Sequence, residues 1–206
     1  MIRRLFYYIS GIGILTFGIS LAVLSSLGTS PFDALLVGMY RTLGLSIGSW
    51  EIIIGLTMIG CNAIIQKKKP ELWAIFTSLV TGVGIDGWMH LLGPMFQAIS
   101  IEEKVILLIS SVVLSSLGIA VYVKADFALI PIDRLMLVLS ERLPLGIGTI
   151  RLGIGLLLVL IALFVNGPIG VGTVLNAVVA GYLIQFFLHV LNRHDYNQAS
   201  NAKSIS

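Results

Sequence analysis

Six ionisable side chains lie within otherwise apolar stretches of the sequence, and their types could do chemistry. They are Asp33, Glu51, Asp86, His90, Asp133 and Arg151. Charged groups inside a membrane are costly, and they usually face a bundle interior or water, where they bind ions, substrates or one another. The sequence therefore offers three aspartates and a glutamate for a cation or a substrate amine, with an imidazole and a guanidinium nearby.

Two of the aspartates belong to an internal repeat. Pro-x-Asp-x-Leu segments begin at Pro31 and Pro131, one hundred positions apart, and flanking residues match in the same register. Further along, the offset falls to ninety-nine, so that His90 corresponds to His189. A repeat of this length is a duplicated half-protein rather than a solenoid unit.

The two aspartates have two interpretations. In the first, Asp33 and Asp133 stabilise the first turn of a short helix, with Ser30 as the N-cap of the first one, because a carboxylate there complements free N–H groups and the helix dipole. In the second, both short helices point their ends at a shared site near the middle of the membrane, as half-helices do in secondary transporters, and each carboxylate binds a cation or an amine.

Glu51 and Arg151 occupy equivalent positions in the two repeats. A direct salt bridge between them is one interpretation. The other is a local partner for each: Arg41 for Glu51, and Asp133 or Glu141 for Arg151. In both cases the cost of a charge in lipid predicts that the two side chains face the interior.

The remaining candidates are Asp86 and the histidines. Asp86 and His90 are four residues apart, on one face of a predicted helix, where they could form a proton relay or a pH sensor. Alternatively, both are polar residues wetted at the outer interface. His189 is expected to be an interfacial histidine near the end of the last span.

Composition places the chain in a membrane. Hydrophobic residues make up 57% of the 206 residues and charged residues 11%, whereas soluble domains carry about 25% charged residues. The one cysteine, Cys61, excludes a disulfide framework, and the basic residues mark loop ends rather than a nucleic-acid surface. No catalytic motif is present, so we predict no enzyme, no metal and no cofactor.

The predicted fold is an all-α membrane bundle of six transmembrane helices and two short helices, broken or re-entrant. The predicted spans are Leu5 to Leu27, Ile47 to Gln66, Leu72 to Leu92, Val105 to Val123, Gly148 to Phe164 and Ile169 to Leu191. The short helices are Ser30 to Leu43 and Pro131 to Leu143. Each half holds three spans, which predicts an inverted 3+3 repeat with halves at 1–99 and 100–191, followed by a polar, disordered tail at 192–206.

Lysine and arginine set the predicted orientation. With a cytoplasmic N-terminus, nearly all basic residues are cytoplasmic, including those of the turn Lys67–Lys69, and only Arg41 and Lys104 lie outside. We therefore predict a multi-pass protein of a bacterial plasma membrane with both termini in the cytoplasm.

The motifs resemble a known family. The segments Leu27 to Asp33, Gly44 to Gly48, Gly82 to Asp86 and Ile130 to Asp133 are similar to the YczE/YyaS/YitT family of bacterial integral membrane proteins, above all to its YczE branch. Gln185 stands where a second copy of Asp86 would be. The resemblance implies an inner-membrane protein and a fold, with no assigned substrate.

Inverted repeats, broken helices and intramembrane charge together favour a small-molecule transporter or exporter of unknown substrate, which is partly a fold-level analogy. The alternative is an accessory membrane subunit that does not transport and that supports another protein. The expected partners are the lipid bilayer and a small-molecule substrate, while a homo-oligomer or a membrane partner protein stays open and nucleic acid is excluded.

Overall fold

The chain folds entirely as helices where it is described. The computed structural model describes residues 2–96 and 100–204, with side chains over 4–96, 100–146 and 148–193. Gln97, in the predicted outer loop, lies outside these residues. The eight helices of this part are α1 (Ile2–Ser25), α2 (Pro31–Leu43), α3 (Ile47–Gln66), α4 (Leu72–Leu92), α5 (Ile101–Lys124), α6 (Pro131–Arg142), α7 (Ile147–Phe164) and α8 (Val171–Ser204).

Most helix boundaries follow local signals in the sequence. α2 and α6 both begin at a proline, which suits the first helical turn because its missing N–H has no partner there in any case. α8 differs from its predicted end, since it continues to Ser204, through the segment for which disorder was expected. That segment contains neither glycine nor proline, the residues that most often end a helix.

Among the described residues, five helices are long and apolar enough to cross a membrane: α1, α3, α4, α5 and α8. α7 is a shorter apolar helix. Large apolar side chains cover the outer surface, and Phe164, Ile64 and Tyr182 are each more than 70% exposed. Because an apolar surface of this extent is stable in lipid and not in water, the chain is a multi-pass membrane protein.

The centre of the bundle is the antiparallel pair α1 and α5, which is the most extensive helix contact. Small residues allow their backbones to meet. A Cβ atom on Gly18 would lie 2.6 Å from the backbone nitrogen of Ser115, and one on Gly118 would lie 2.4 Å from that of Leu15. This is the close approach that small residues permit between membrane helices, where packing rather than hydrophobicity drives association.

The other helices surround this pair. α4 packs on α1, and α8 packs on α5, while each of the short helices α2 and α6 contacts both α3 and α7. The beginnings of the short helices meet glycines of the long ones: Pro31 lies beside Gly155 of α7, and Pro131 lies beside Gly55 of α3. These contacts bring the first turns of α2 and α6 into the interior, where they position Asp33 and Asp133.

Candidate functional site

Asp33 lies in the first turn of α2 and is only 8% exposed. Ser30 is the N-cap, as predicted, and its hydroxyl oxygen accepts a hydrogen bond from the Asp33 backbone N–H at 3.2 Å. The same hydroxyl donates to Asp33 Oδ2 at 2.6 Å. The cap is therefore made by the serine, and the carboxylate is held by it rather than bonded to the free N–H groups of the helix.

Asp133 has a different partner. α6 has Ile130 at its N-cap and no side-chain cap hydrogen bond. Instead, the phenol of Tyr122, a fully buried residue of α5, donates to Asp133 Oδ2 at 2.5 Å. Asp33 and Asp133 are thus held by different donors, and helix capping does not explain the position of either carboxylate group.

Glu51 of α3 lies within electrostatic range of both aspartates. Its side chain is 2% exposed, and it interacts with both Asp33 and Asp133. Within the described part of the chain, no hydrogen bond donor contacts the Glu51 carboxyl group. We refer to Asp33, Glu51 and Asp133 as the carboxylate cluster.

The two arginines considered as partners of Glu51 lie elsewhere. Arg41 donates through Nη1 to the backbone carbonyl of Asn166 at 3.2 Å, so the predicted partnership between Arg41 and Glu51 is wrong. Arg151 interacts electrostatically with Asp133, which is one of the two local partners expected for it. The Arg151 residue is exposed, whereas Glu51 is buried, and the cluster therefore holds more acidic than basic groups.

Two tyrosines extend the polar interior, and neither was identified from the sequence. Tyr8 is fully buried and shares a hydrogen bond with the buried hydroxyl of Thr77. A tyrosine inside an apolar helix is itself a signal, because a buried phenol usually has a hydrogen bond partner. That signal predicts some partner for Tyr122 but does not name Asp133.

Asp86 and His90 are not brought together. Asp86 Oδ2 accepts from the hydroxyl of Ser46 at 2.5 Å, and its Oδ1 accepts from the backbone N–H of Gly48 at 2.8 Å. Asp86 therefore ties α4 to the first turn of α3, which is a structural role. His90 is exposed, and His189 is exposed near the middle of α8.

The cluster can neutralise positive charge. Three buried or half-buried carboxylates within electrostatic range repel one another when all are ionised, so the site accepts protons or a bound cation at a favourable free energy. No group of three or more His, Cys, Asp or Glu side chains within the described residues has the spacing of a metal site. Carboxylates in this number could balance the charge of an organic cation or bind protons.

Comparisons with known proteins extend over nearly the whole chain. Residues 2–189 match the family of unknown function DUF6198. The uncharacterized protein YyaS of Bacillus subtilis is 41% identical over 188 residues, which cover 91% of this chain and 94% of YyaS. The uncharacterized membrane protein YczE of the same organism is 33% identical over 190 residues, covering 91% of this chain and 86% of YczE.

A more distant relative is an uncharacterized protein of Haemophilus influenzae, 27% identical over 186 residues, or 88% of this chain and 82% of that protein. No solved structure gives a significant match. The family match covers the carboxylate cluster and both short helices, and it ends within α8. The chain therefore belongs to DUF6198, a membrane protein family of unknown function that it shares with YyaS and YczE.

Proposed function

We propose that the chain is a transporter of the bacterial plasma membrane that exports a small amphipathic cation. One observation carries this proposal: Glu51 is buried, has no hydrogen bond donor among the described residues, and interacts with two further carboxylates from two other helices. A buried carboxyl group without a hydrogen bond donor is costly to ionise, and inside a membrane such a group is expected to bind a ligand or a proton.

The arrangement of the helices supports a transporter built from inverted repeats. The contact of Pro31 with Gly155 has its counterpart in the contact of Pro131 with Gly55, which is the same pair with the repeats exchanged. In transporters of this kind, short interrupted helices bring the substrate site to the interface between the repeats, near the middle of the bilayer. We infer six spans, with α7 as the sixth, and an axis of pseudo-symmetry between α1 and α5.

The direction of the chain in the membrane follows from its charges. We propose that both termini and the turn Lys67–Lys69 are cytoplasmic, because basic residues are strongly retained on that side. In this orientation the beginnings of α2 and α6 approach the carboxylate cluster from opposite sides of the membrane. A cation held there could be exposed to either side by a small rearrangement of the short helices.

The test measures flux through the purified protein. Liposomes containing the protein are loaded with a lipophilic cation, tetraphenylphosphonium, and efflux is followed with and without a proton gradient. We expect Glu51→Gln, Asp33→Asn and Asp133→Asn to abolish efflux while the proteins still fold, because each substitution removes the charge but keeps the size of the side chain and an oxygen that accepts a hydrogen bond. Asp126→Asn is the matched control, since Asp126 is an exposed aspartate outside the cluster and asparagine also adopts its positive φ of 49°.

Normal efflux in all three cluster variants would contradict the assignment of the site. Absence of cation-dependent flux in the unmodified protein, together with stoichiometric co-purification of another membrane protein, would favour the accessory subunit instead. One observation supports that alternative: α7 and α8 expose many large apolar side chains, among them Leu152, Phe164 and Val178. Such a face could contact a partner helix as well as lipid.

A further inference from the structure

A second polar site lies apart from the carboxylate cluster. A cavity of about 200 Å³ opens between α3, α4 and α6, beside the turn that joins α3 to α4. None of the three cluster carboxylates lines it. Its polar walls are formed by Asn62, Gln66, Lys68, Lys69, Glu71 and Arg134.

The cavity carries surplus positive charge. Arg134 Nη2 donates to Glu71 Oε1 at 2.6 Å, so this ion pair contributes no net charge. Lys68 and Lys69 have no acidic partner within the described residues. Two ammonium groups at the mouth of a cavity between membrane helices attract an anion, and basic pockets in this position are typical binding sites for lipid headgroups.

Two wall residues also have unused hydrogen-bonding capacity. Asn62 is 5% exposed, and its Nδ2 donates to the backbone carbonyl of Pro131 at 3.2 Å, while its Oδ1 has no hydrogen bond partner. The Nε of Arg134 is buried and has no partner either. Most buried polar atoms in proteins are hydrogen-bonded, so each exception needs an explanation. One ligand with an anionic oxygen for Arg134 and a hydroxyl or amine donor for Asn62 would account for both.

We propose that this cavity binds a phosphate ester that also carries a hydroxyl or amine donor. Phosphate matches the charge of Lys68 and Lys69, and one of its oxygens can accept a hydrogen bond from the unpartnered Nε–H of Arg134. The same chemistry occurs in the headgroup of phosphatidylglycerol and in soluble glycerol phosphate. The site is independent of the proposed transport site, because a basic cavity repels the organic cation that the carboxylate cluster would hold.

The test is a binding titration of the purified full chain in neutral detergent. The probes are short-chain phosphatidylglycerol and glycerol phosphate. Short-chain phosphatidylcholine is the comparison, because it is a zwitterionic lipid without a hydroxyl or amine donor. We expect saturable binding of phosphatidylglycerol and weak binding of phosphatidylcholine. Lys68→Gln and Lys69→Gln should each weaken the binding of phosphatidylglycerol by about fivefold, which is the effect of one basic residue near a lipid phosphate. Lys67→Gln is the matched control, since it removes the same charge from the same turn but Lys67 does not line the cavity.

The two phosphate probes distinguish the source of the ligand. Binding of phosphatidylglycerol alone identifies a membrane lipid, and binding of both identifies a site that also accepts soluble phosphate esters. Two results would overturn the proposal: no saturable binding of either phosphate probe, or equal weakening by Lys67→Gln and Lys68→Gln, which would indicate diffuse surface attraction. Neither readout depends on flux, so failure of the transporter proposal leaves this test unaffected.

Discussion

The hydrogen bond from Tyr122 to Asp133 gives a sharp test of the carboxylate cluster. Tyr122→Phe keeps the aromatic ring and removes only the hydroxyl that donates at 2.5 Å to a carboxylate oxygen. A hydrogen bond to a charged group contributes about 1.5–3 kcal/mol, and Tyr122 is fully buried, so water cannot replace the donor from its side. For a chain of this size a loss of 1 kcal/mol lowers Tm by about 2–4 °C. We therefore expect Tyr122→Phe to lower Tm by about 3–12 °C.

The measurement is thermal unfolding of the purified protein in detergent, followed by tryptophan fluorescence. Tyr122→Phe, Asp133→Ala and the double variant form a double-mutant cycle, which isolates the pairwise energy from the other effects of each substitution. We expect a coupling of more than about 1 kcal/mol. Tyr182→Phe is the control, since that tyrosine is 76% exposed, and its Tm should not change. A coupling below about 0.5 kcal/mol would refute the conclusion that Tyr122 holds the Asp133 carboxylate.

Three further predictions concern the scaffold. Gly18→Ala should destabilise the protein by about 1–3 kcal/mol in unfolding titrations, because its Cβ would lie 2.6 Å from a backbone atom of α5. Gly13→Ala is the control on the same helix and should be neutral, since its Cβ would meet nothing within 4 Å. Equal effects of the two substitutions would contradict the close packing of α1 and α5. Asp86→Ala should lower stability by about 1–3 kcal/mol by leaving the donors at the start of α3 unpaired, and unchanged stability would exclude this structural role. Reporter fusions at Lys68 should indicate the cytoplasm and those at Asn166 the periplasm, and the same location for both would overturn the inverted topology.

Local structure was accessible from the sequence because its causes lie within a few residues. The predicted bounds of α3 and α4 agree with the structure, since polar turns interrupt long apolar runs there. The starts of α2 and α6 were equally clear, because proline fits the first helical turn and Ser30 supplies a cap for the first of them. Membrane character followed from composition alone.

The hydrogen bond partners of the polar residues were not predictable from the sequence. Asp86 was considered with His90, four residues away on the same helix, but its hydrogen bonds go to Ser46 and Gly48 on another element. Arg41 was considered for Glu51, but it contacts Asn166. Sequence spacing gives neighbours along one helix, whereas these contacts join residues that are between 38 and 125 positions apart.

The sequence by itself determined which carboxylates lie in apolar surroundings, and therefore which residues must face the interior of a membrane bundle. Only the tertiary structure decided that Asp33 and Asp133 both interact with Glu51, and that Tyr122 rather than an arginine donates to Asp133. The physical reason is that helix packing sets these distances. Close contact of α1 with α5, and of the two prolines with Gly55 and Gly155, carries the short helices inward, and no local pattern encodes that approach.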